Sequence, residues 1–398
     1  MDHQNPVFIP GPTNIPERLR RAMSVPTWDH RSPQFGRMFV PLLEDIKRVF
    51  GTHQGEVAVF TASGTGGWET AITNTLSPGD KVLAARYGMF SHRWIDLCQR
   101  HGIDVEVIDC QWGEGAPVDR YREALAADRE HRIKAVLATH NETATGVRSD
   151  IAGVRQAMDT AGHPAMLFVD GVSSIGSMEF GMDEWGVDVA VSGSQKGFML
   201  TTGLAIVAVS PKARDAMESA QLTRCYFDLR EMLAAGAKGS YPYTPAIGLI
   251  EGLRESVNML LEEGLENVFA RHYRVAEGVR RAVAAWNMSV CAKRPELRSD
   301  TVTAIMVPQG LDGTELVNHA NEAYHVSYGI GLGQMAGRLF RIGHLGQVSD
   351  VMALSGIATA EMAMKDLGYR VELGSGVAAA QEYYRASNGI VPSAMPSA

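Results

Sequence analysis

The sequence predicts an α/β fold followed by a second, smaller α+β domain, and three observations point there. Seven short apolar runs recur between residues 57 and 209, most of them separated by stretches with helical periodicity. The runs are apolar on both faces, the pattern of a mainly parallel sheet covered on both sides. After Ser210 the alternation gives way to a long helical region and then to short strands mixed with helices.

Taken in order, the first 26 residues carry Pro6, Pro10, Pro12, Pro16 and Pro26 and read as an extended N-terminal arm, residues 1–26, lying on a body. The seven strands are expected at 57–60, 82–85, 105–108, 133–139, 165–170, 187–192 and 204–209. Helices are expected at 65–76, 120–128 and 151–161. This alternation defines a large domain of residues 27–264. A helical region over about 245–286 carries a charged face with Glu262, Glu263, Glu266, Arg271 and Arg274. Strands at 301–307, 326–328 and 339–342 then alternate with helices at 314–323 and 351–367, giving a small C-terminal domain of 265–398. No internal repeat is present, and the last ten or so residues, with Pro392, Ser393, Pro396 and Ser397, read as a frayed tail.

The 398 residues carry 37 Lys+Arg against 45 Asp+Glu, so the net charge is 37 − 45 = −8. An acidic balance argues against a nucleic-acid or anionic-membrane surface, where clustered Lys and Arg would be favoured. It bears on solubility and says little about a single pocket, whose field is local. Forty-one glycines exceed an average share of about 7%, which suggests close backbone approaches to a ligand. Cys98, Cys110, Cys225 and Cys291 form no CxxC pair, and no Cys/His cluster has metal-ligand spacing. No metal is expected. Residues 1–12 lack a basic region followed by an apolar stretch, and no apolar run is long enough for a membrane span. A cytoplasmic protein with reduced thiols is the expectation.

Chemistry concentrates in the large domain. Ser63-Gly64-Thr65-Gly66-Gly67 follows the first strand and opens a helix, a junction whose free N–H groups and dipole favour phosphate. It is neither a Walker loop nor a GxGxxG fingerprint, because GK[ST] is missing and Glu69 replaces the third glycine. Asp170 ends an apolar strand where a parallel sheet opens on its ligand crevice; alone, such an acid is as apt to cap a turn. Lys196, in Ser192-Gly193-Ser194-Gln195-Lys196-Gly197, ends the next strand among small residues. Near apolar walls its ammonium form is disfavoured, which suits covalent chemistry with a carbonyl. A phosphate cradle, an acid and a buried lysine on neighbouring strand ends together describe a site for pyridoxal 5′-phosphate.

Six further motifs carry a resemblance. They are Pro10-Gly11-Pro12-Thr13-Asn14, Asp29-His30-Arg31-Ser32-Pro33, the run from His140 to Gly146, Gly193-Ser194-Gln195-Lys196-Gly197, Tyr241-Pro242-Tyr243-Thr244-Pro245 and the run from Arg341 to Gly346. From Pro10 to about Gly346 the chain resembles the class V, fold-type I aminotransferases of the alanine/serine/aspartate–glyoxylate group. The resemblance implies that Lys196 is the Schiff-base lysine and Asp170 the partner of the pyridine nitrogen. Ser63, Gly64, Thr65 and Gln195 match the phosphate binders, and Phe90 the aromatic that stacks on the ring, where several relatives carry Trp. Thr143 matches the residue near the cofactor's phenolic oxygen, and Arg341 the arginine that takes the substrate α-carboxylate. Tyr241 and Thr244 match residues that reach the neighbouring subunit's cofactor, implying a homodimer with shared sites or a higher oligomer.

The resemblance also implies transfer of an amino group to glyoxylate, giving glycine. L-Aspartate is the expected donor, with oxaloacetate as the other product, and Arg93 or Arg31 as a second cation for its side chain. Serine, giving hydroxypyruvate, is the alternative. A lyase or desulfurase on the same fold would need a nucleophilic cysteine on a mobile loop, and none of the four cysteines sits in such a context. The glycine-rich stretch 331–337 resembles a nucleotide loop but is read as a flexible approach to Arg341.

Overall fold

The computed structural model describes residues 6–26 and 28–387; the expected frayed tail lies outside the described residues. Seven strands form the large sheet: β1 (Glu56–Ala62), β2 (Lys81–Arg86), β3 (Asp104–Asp109), β4 (Ile133–Thr139), β5 (Met166–Asp170), β6 (Val189–Gly193) and β7 (Gly203–Val209). Their spatial order is β1-β7-β6-β5-β4-β2-β3. All pairs are parallel except those of β7, which runs antiparallel to both β1 and β6. The central strands are buried along their whole length, as the uninterrupted apolar runs require. Because six strands run the same way, their carboxyl ends share one edge, and the loops leaving that edge build the site.

A second sheet of five strands is ordered Val7–Phe8, Ser327–Ile330, Leu339–Gly343, Val302–Met306 and Ser289–Val290. Val7 and Phe8 pair in parallel with Ser327 and Tyr328. The N-terminal arm is therefore partly ordered structure: one strand on this sheet, then the helix Glu17–Met23. An extended arm along its full length is not what forms.

Apolar burial divides the same way. One large cluster packs on both faces of the seven-stranded sheet, with Phe60, Leu137, Phe168 and Ile206 fully buried. A second joins Phe8 to Val279, Phe340, Ile357 and Tyr384 beneath the five-stranded sheet. The single helical region expected over 245–286 is two helices, Ile247–Glu263 and Leu265–Ala285, separated by Gly264 at φ +82°. The helix Leu265–Ala285 contributes Val268 to the large cluster and Val275 and Val279 to the small one.

Candidate active site

Lys196 lies three residues beyond β6, with 9% of its surface exposed. Its Nζ donates to the carbonyl oxygen of Pro10 at 2.6 Å, and no carboxylate pairs with it among the described residues. Burial, helped by the nearby charge of Arg341, lowers the ammonium pKa to about 8, while Asp170 opposes the shift. The arm can come this close only because Gly11 stands beside it. A Cβ there would fall 2.6 Å from Lys196 Cδ, and Gly11 has φ +116°. A second tie, from the Thr13 N–H to the Gln195 carbonyl at 3.2 Å, holds the arm along this loop.

Asp170 ends β5 and is 4% exposed. Burial raises its carboxyl to about 7, the nearby Glu142 charge adds to the rise, and the Val172 N–H, at 3.0 Å, pulls it back in part. No lysine or arginine forms an ion pair with it among the described residues. A carboxyl so placed is a standing acceptor for a cationic N–H.

At the end of β1, Ser63 caps the helix Gly64–Thr75 with its backbone but not with its side chain. The first intrahelical bond runs from Gly67 N–H to Ser63 O at 3.2 Å, which leaves the N–H groups of Gly64, Thr65 and Gly66 free for an anion. Gln195 reaches toward the same spot. A Cβ on Gly193 would lie 2.9 Å from Gln195 Oε1 and 3.5 Å from Gly64 N. That amide oxygen is buried without a partner among the described residues.

Arg341 sits on the strand Leu339–Gly343, 6% exposed. Its Nε donates to Ile330 O at 3.0 Å and its Nη1 to Thr143 O at 2.9 Å, while Nη2 makes no hydrogen bond among the described residues. Burial lowers its pKa to about 10, so it stays charged at neutral pH, supported by the field of Glu142. The Thr143 hydroxyl meets Ser173 Oγ at 2.8 Å. Phe90 is the second residue of the helix Met89–Arg100, and the Arg93 guanidinium stands over its ring at 5.6 Å.

The structure thus brings Ser63, Gly64, Thr65, Gln195, Asp170, Lys196, Thr143, Phe90 and Arg341 to one edge. The tyrosine loop is tied to its own large sheet. The Tyr241 hydroxyl donates to Val59 O at 2.7 Å within the same chain, because the phenol lies over the backbone of β1. Thr244 is exposed, and beside it Tyr243 stacks on the half-open Tyr226 at 5.1 Å. Glu142 is the residue sequence reasoning missed: it stood inside the quoted run from His140, and only its complete burial sets it apart. Among the described residues no group of three or more His, Cys, Asp or Glu could hold a metal. No helix among them is long and apolar enough to cross a membrane.

Two buried cations without ion pairs, a buried acid and an open helix start define an enzyme site built for an anionic, carbonyl-bearing ligand. The family described as Aminotransferase class-V matches residues 22–332, and the chain belongs to it. It is 66% identical over 385 residues to an L-aspartate–glyoxylate aminotransferase of Paracoccus denitrificans, covering 97% of each chain. A serine–glyoxylate aminotransferase of Hyphomicrobium methylovorum is 54% identical, covering 95% of this chain and 94% of that one. Among solved structures, the pyridoxamine–pyruvate aminotransferase of Mesorhizobium loti superposes with a TM-score of 0.90 at 26% identity, over 97% of this chain and 99% of that one.

A class-V aminotransferase is a fold-type I enzyme of pyridoxal 5′-phosphate, and the residues present fit that group. The unpartnered Gln195 amide oxygen and the free N–H groups at Gly64 to Gly66 mark a polar cradle left open by the chain itself. The uncompensated Asp170 carboxyl suits a protonated ring nitrogen.

Proposed function

We propose that this chain transfers the amino group of L-aspartate to glyoxylate, giving oxaloacetate and glycine. The observation that carries the chemistry is the pairing of a buried, readily deprotonated Lys196 with a buried Arg341, neither neutralised by a carboxylate. The 66% identity to an aspartate–glyoxylate enzyme supports the donor.

Pyridoxal phosphate supplies an electron-withdrawing ring that makes an amino acid's Cα proton removable. In our reading Ser63, Gly64, Thr65 and Gln195 would hold its phosphate, Phe90 its ring face, and Thr143 its phenolic edge. Asp170 would hold the ring nitrogen, where a carboxylate keeps a proton in place. Lys196 would hold the cofactor covalently, and its Nζ, when not so engaged, would serve as the base for the amino acid's Cα proton. Arg341 holds the α-carboxylate through the unused Nη2 side of its fork, its other nitrogens fixed by Ile330 and Thr143. Arg93, exposed and without a carboxylate partner among the described residues, is the second cation for the aspartate side chain; Arg31, also exposed, is the alternative. A homodimer with shared sites fits the exposed Thr244 and the Tyr226–Tyr243 stack close to the phosphate cradle. The four free cysteines support a cytoplasmic setting, and the two apolar clusters support a division near residue 265.

A serine donor is the second reading, favoured by the 54% identical relative. Assays offering aspartate, serine and alanine with glyoxylate decide. We expect kcat/KM for aspartate to exceed that for serine by about tenfold or more, and Arg93→Leu to erase most of that preference. Faster turnover with serine would overturn the aspartate assignment.

A further inference from the structure

Glu142 is fully buried, lies in the short hairpin Asn141–Glu142/Val147–Arg148, and has no cation paired with it among the described residues. Its carboxylate instead accepts from three backbone N–H groups. Oε2 takes Ser91 at 2.9 Å and Phe90 at 3.1 Å; Oε1 takes Ala144 at 3.1 Å and Phe90 at 3.2 Å. Phe90 and Ser91 are the second and third residues of the helix Met89–Arg100, whose N-cap is Gly88. Glycine has no side chain with which to cap, so an acid 52 residues away supplies the cap and the negative charge that a helix N-terminus favours. The glycine is what admits it: a Cβ on Gly88 would overlap the Glu142 side chain.

One carboxylate therefore joins three parts of the site. It fixes the turn that aims Phe90, it fixes the Ala144 amide next to Thr143, and Thr143 in turn accepts from Arg341. We propose that Glu142 is a positioning residue: its carboxylate caps the Phe90 helix from across the site and so sets the distance between the aromatic wall, Thr143 and Arg341. This rests on the reading of Phe90 as the wall of the cofactor site.

Glu142→Gln keeps the shape, removes the charge and turns one acceptor into a donor facing a backbone N–H. In the full-length protein we expect the dissociation constant for pyridoxal phosphate to rise about tenfold or more. Visible circular dichroism of the bound cofactor should fall to roughly half, since that signal reads the asymmetry imposed on the ring. KM for the amino donor should rise more than kcat falls, because Arg341 loses its alignment. Glu142→Asp, which retains the charge on a shorter arm, is expected to recover part of each, a pattern a generally weakened fold would not give. Should Glu142→Gln lack a cooperative melt, the same three readouts are taken on Glu142→Asp. Unchanged cofactor affinity and dichroism in folded Glu142→Gln, or in Glu142→Asp where Glu142→Gln does not fold, overturn the inference while leaving the aminotransferase reading intact. Absence of covalent cofactor in the parent protein, checked against Lys196→Ala, would instead remove the aminotransferase reading itself.

Discussion

Lys196 and Asp170 are each shifted toward the neutral form, and burial is the first cause in both. For Lys196 the folded pKa of about 8 lies below the ordinary 10.5. The unfavourable contribution of this group to stability is therefore absent above pH 10.5 and complete once pH has fallen through about 8. In return, a sizeable share of the amine is neutral near pH 8. We expect the rate of covalent attachment of pyridoxal phosphate to the cofactor-free protein to rise with pH around a midpoint near 8, followed by absorbance. A midpoint near 10 would mean a solvated lysine. Asp170 runs the other way, its folded pKa raised from 3.8 to about 7. Its penalty is absent below pH 3.8 and complete above about 7. Cofactor-free Asp170→Asn is accordingly expected to melt above the parent at pH 8 by about 2 °C or more, with the gap narrowing as pH falls toward 5. An equal or lower melting temperature at pH 8 would show that the acid is already compensated.

The strands of the large sheet were legible because most are nearly unbroken apolar runs ending in a small or polar residue, as in Leu167-Phe168-Val169-Asp170; Asp104–Asp109, with Glu106 inside it, and Ile133–Thr139, with Lys134, keep enough apolar positions to read the same way. Helices that begin or bend against local rules were not. Pro33–Phe50 buries Phe35, Phe39, Leu42, Ile46 and Val49 at helical spacing, yet Pro41 inside it reads as a breaker. Its start obeys the rules, with Ser32 as N-cap and Pro33 in the first turn, and its end is Gly51 at φ +64°. Tertiary packing of the apolar stripe outweighs one lost backbone bond. Met89–Arg100 was hidden for another reason: the N–H groups of Phe90 and Ser91 are capped by Glu142, far away in sequence, and the local tie from the Gly88 N–H to Ser91 Oγ gives only a weak signal of the start. Lys196, Asp170 and Gly64 could be picked out because each stands at or just past the end of a strand, whereas Arg341, in the middle of Leu339–Gly343, was picked out by its motif. The three-way role of Glu142 was invisible, since an acid in a loop looks the same in sequence whether it is solvated or enclosed.

At the scale of the molecule, the single chain leaves its phosphate cradle flanked by exposed groups: Thr65, Thr244 and the Tyr226–Tyr243 stack, with Phe227 against the Gly66 position. Such a rim is suited to a second copy, which would bring its own Thr244 toward this site. Sedimentation equilibrium is expected to give about twice the 43.1 kDa chain mass, or a multiple of it. A fully active monomer at micromolar concentration would remove the shared-site reading. The negative net charge does not oppose anionic ligands here, because Arg341, Lys196 and a helix start set the local field.

The strand Val7–Phe8 has a further consequence, in the order of events during synthesis. Its partner, Ser327–Tyr328, is 320 residues later in the chain. At about 5–20 residues per second, the ribosome delivers that partner on the order of tens of seconds after Val7–Phe8 has been made. Through that interval Phe8 has no core to enter, and Pro10 has no fixed post from which to meet Lys196. The strand Val7–Phe8 is thus seated only after residues made about 320 positions later, and the site is completed no earlier than that.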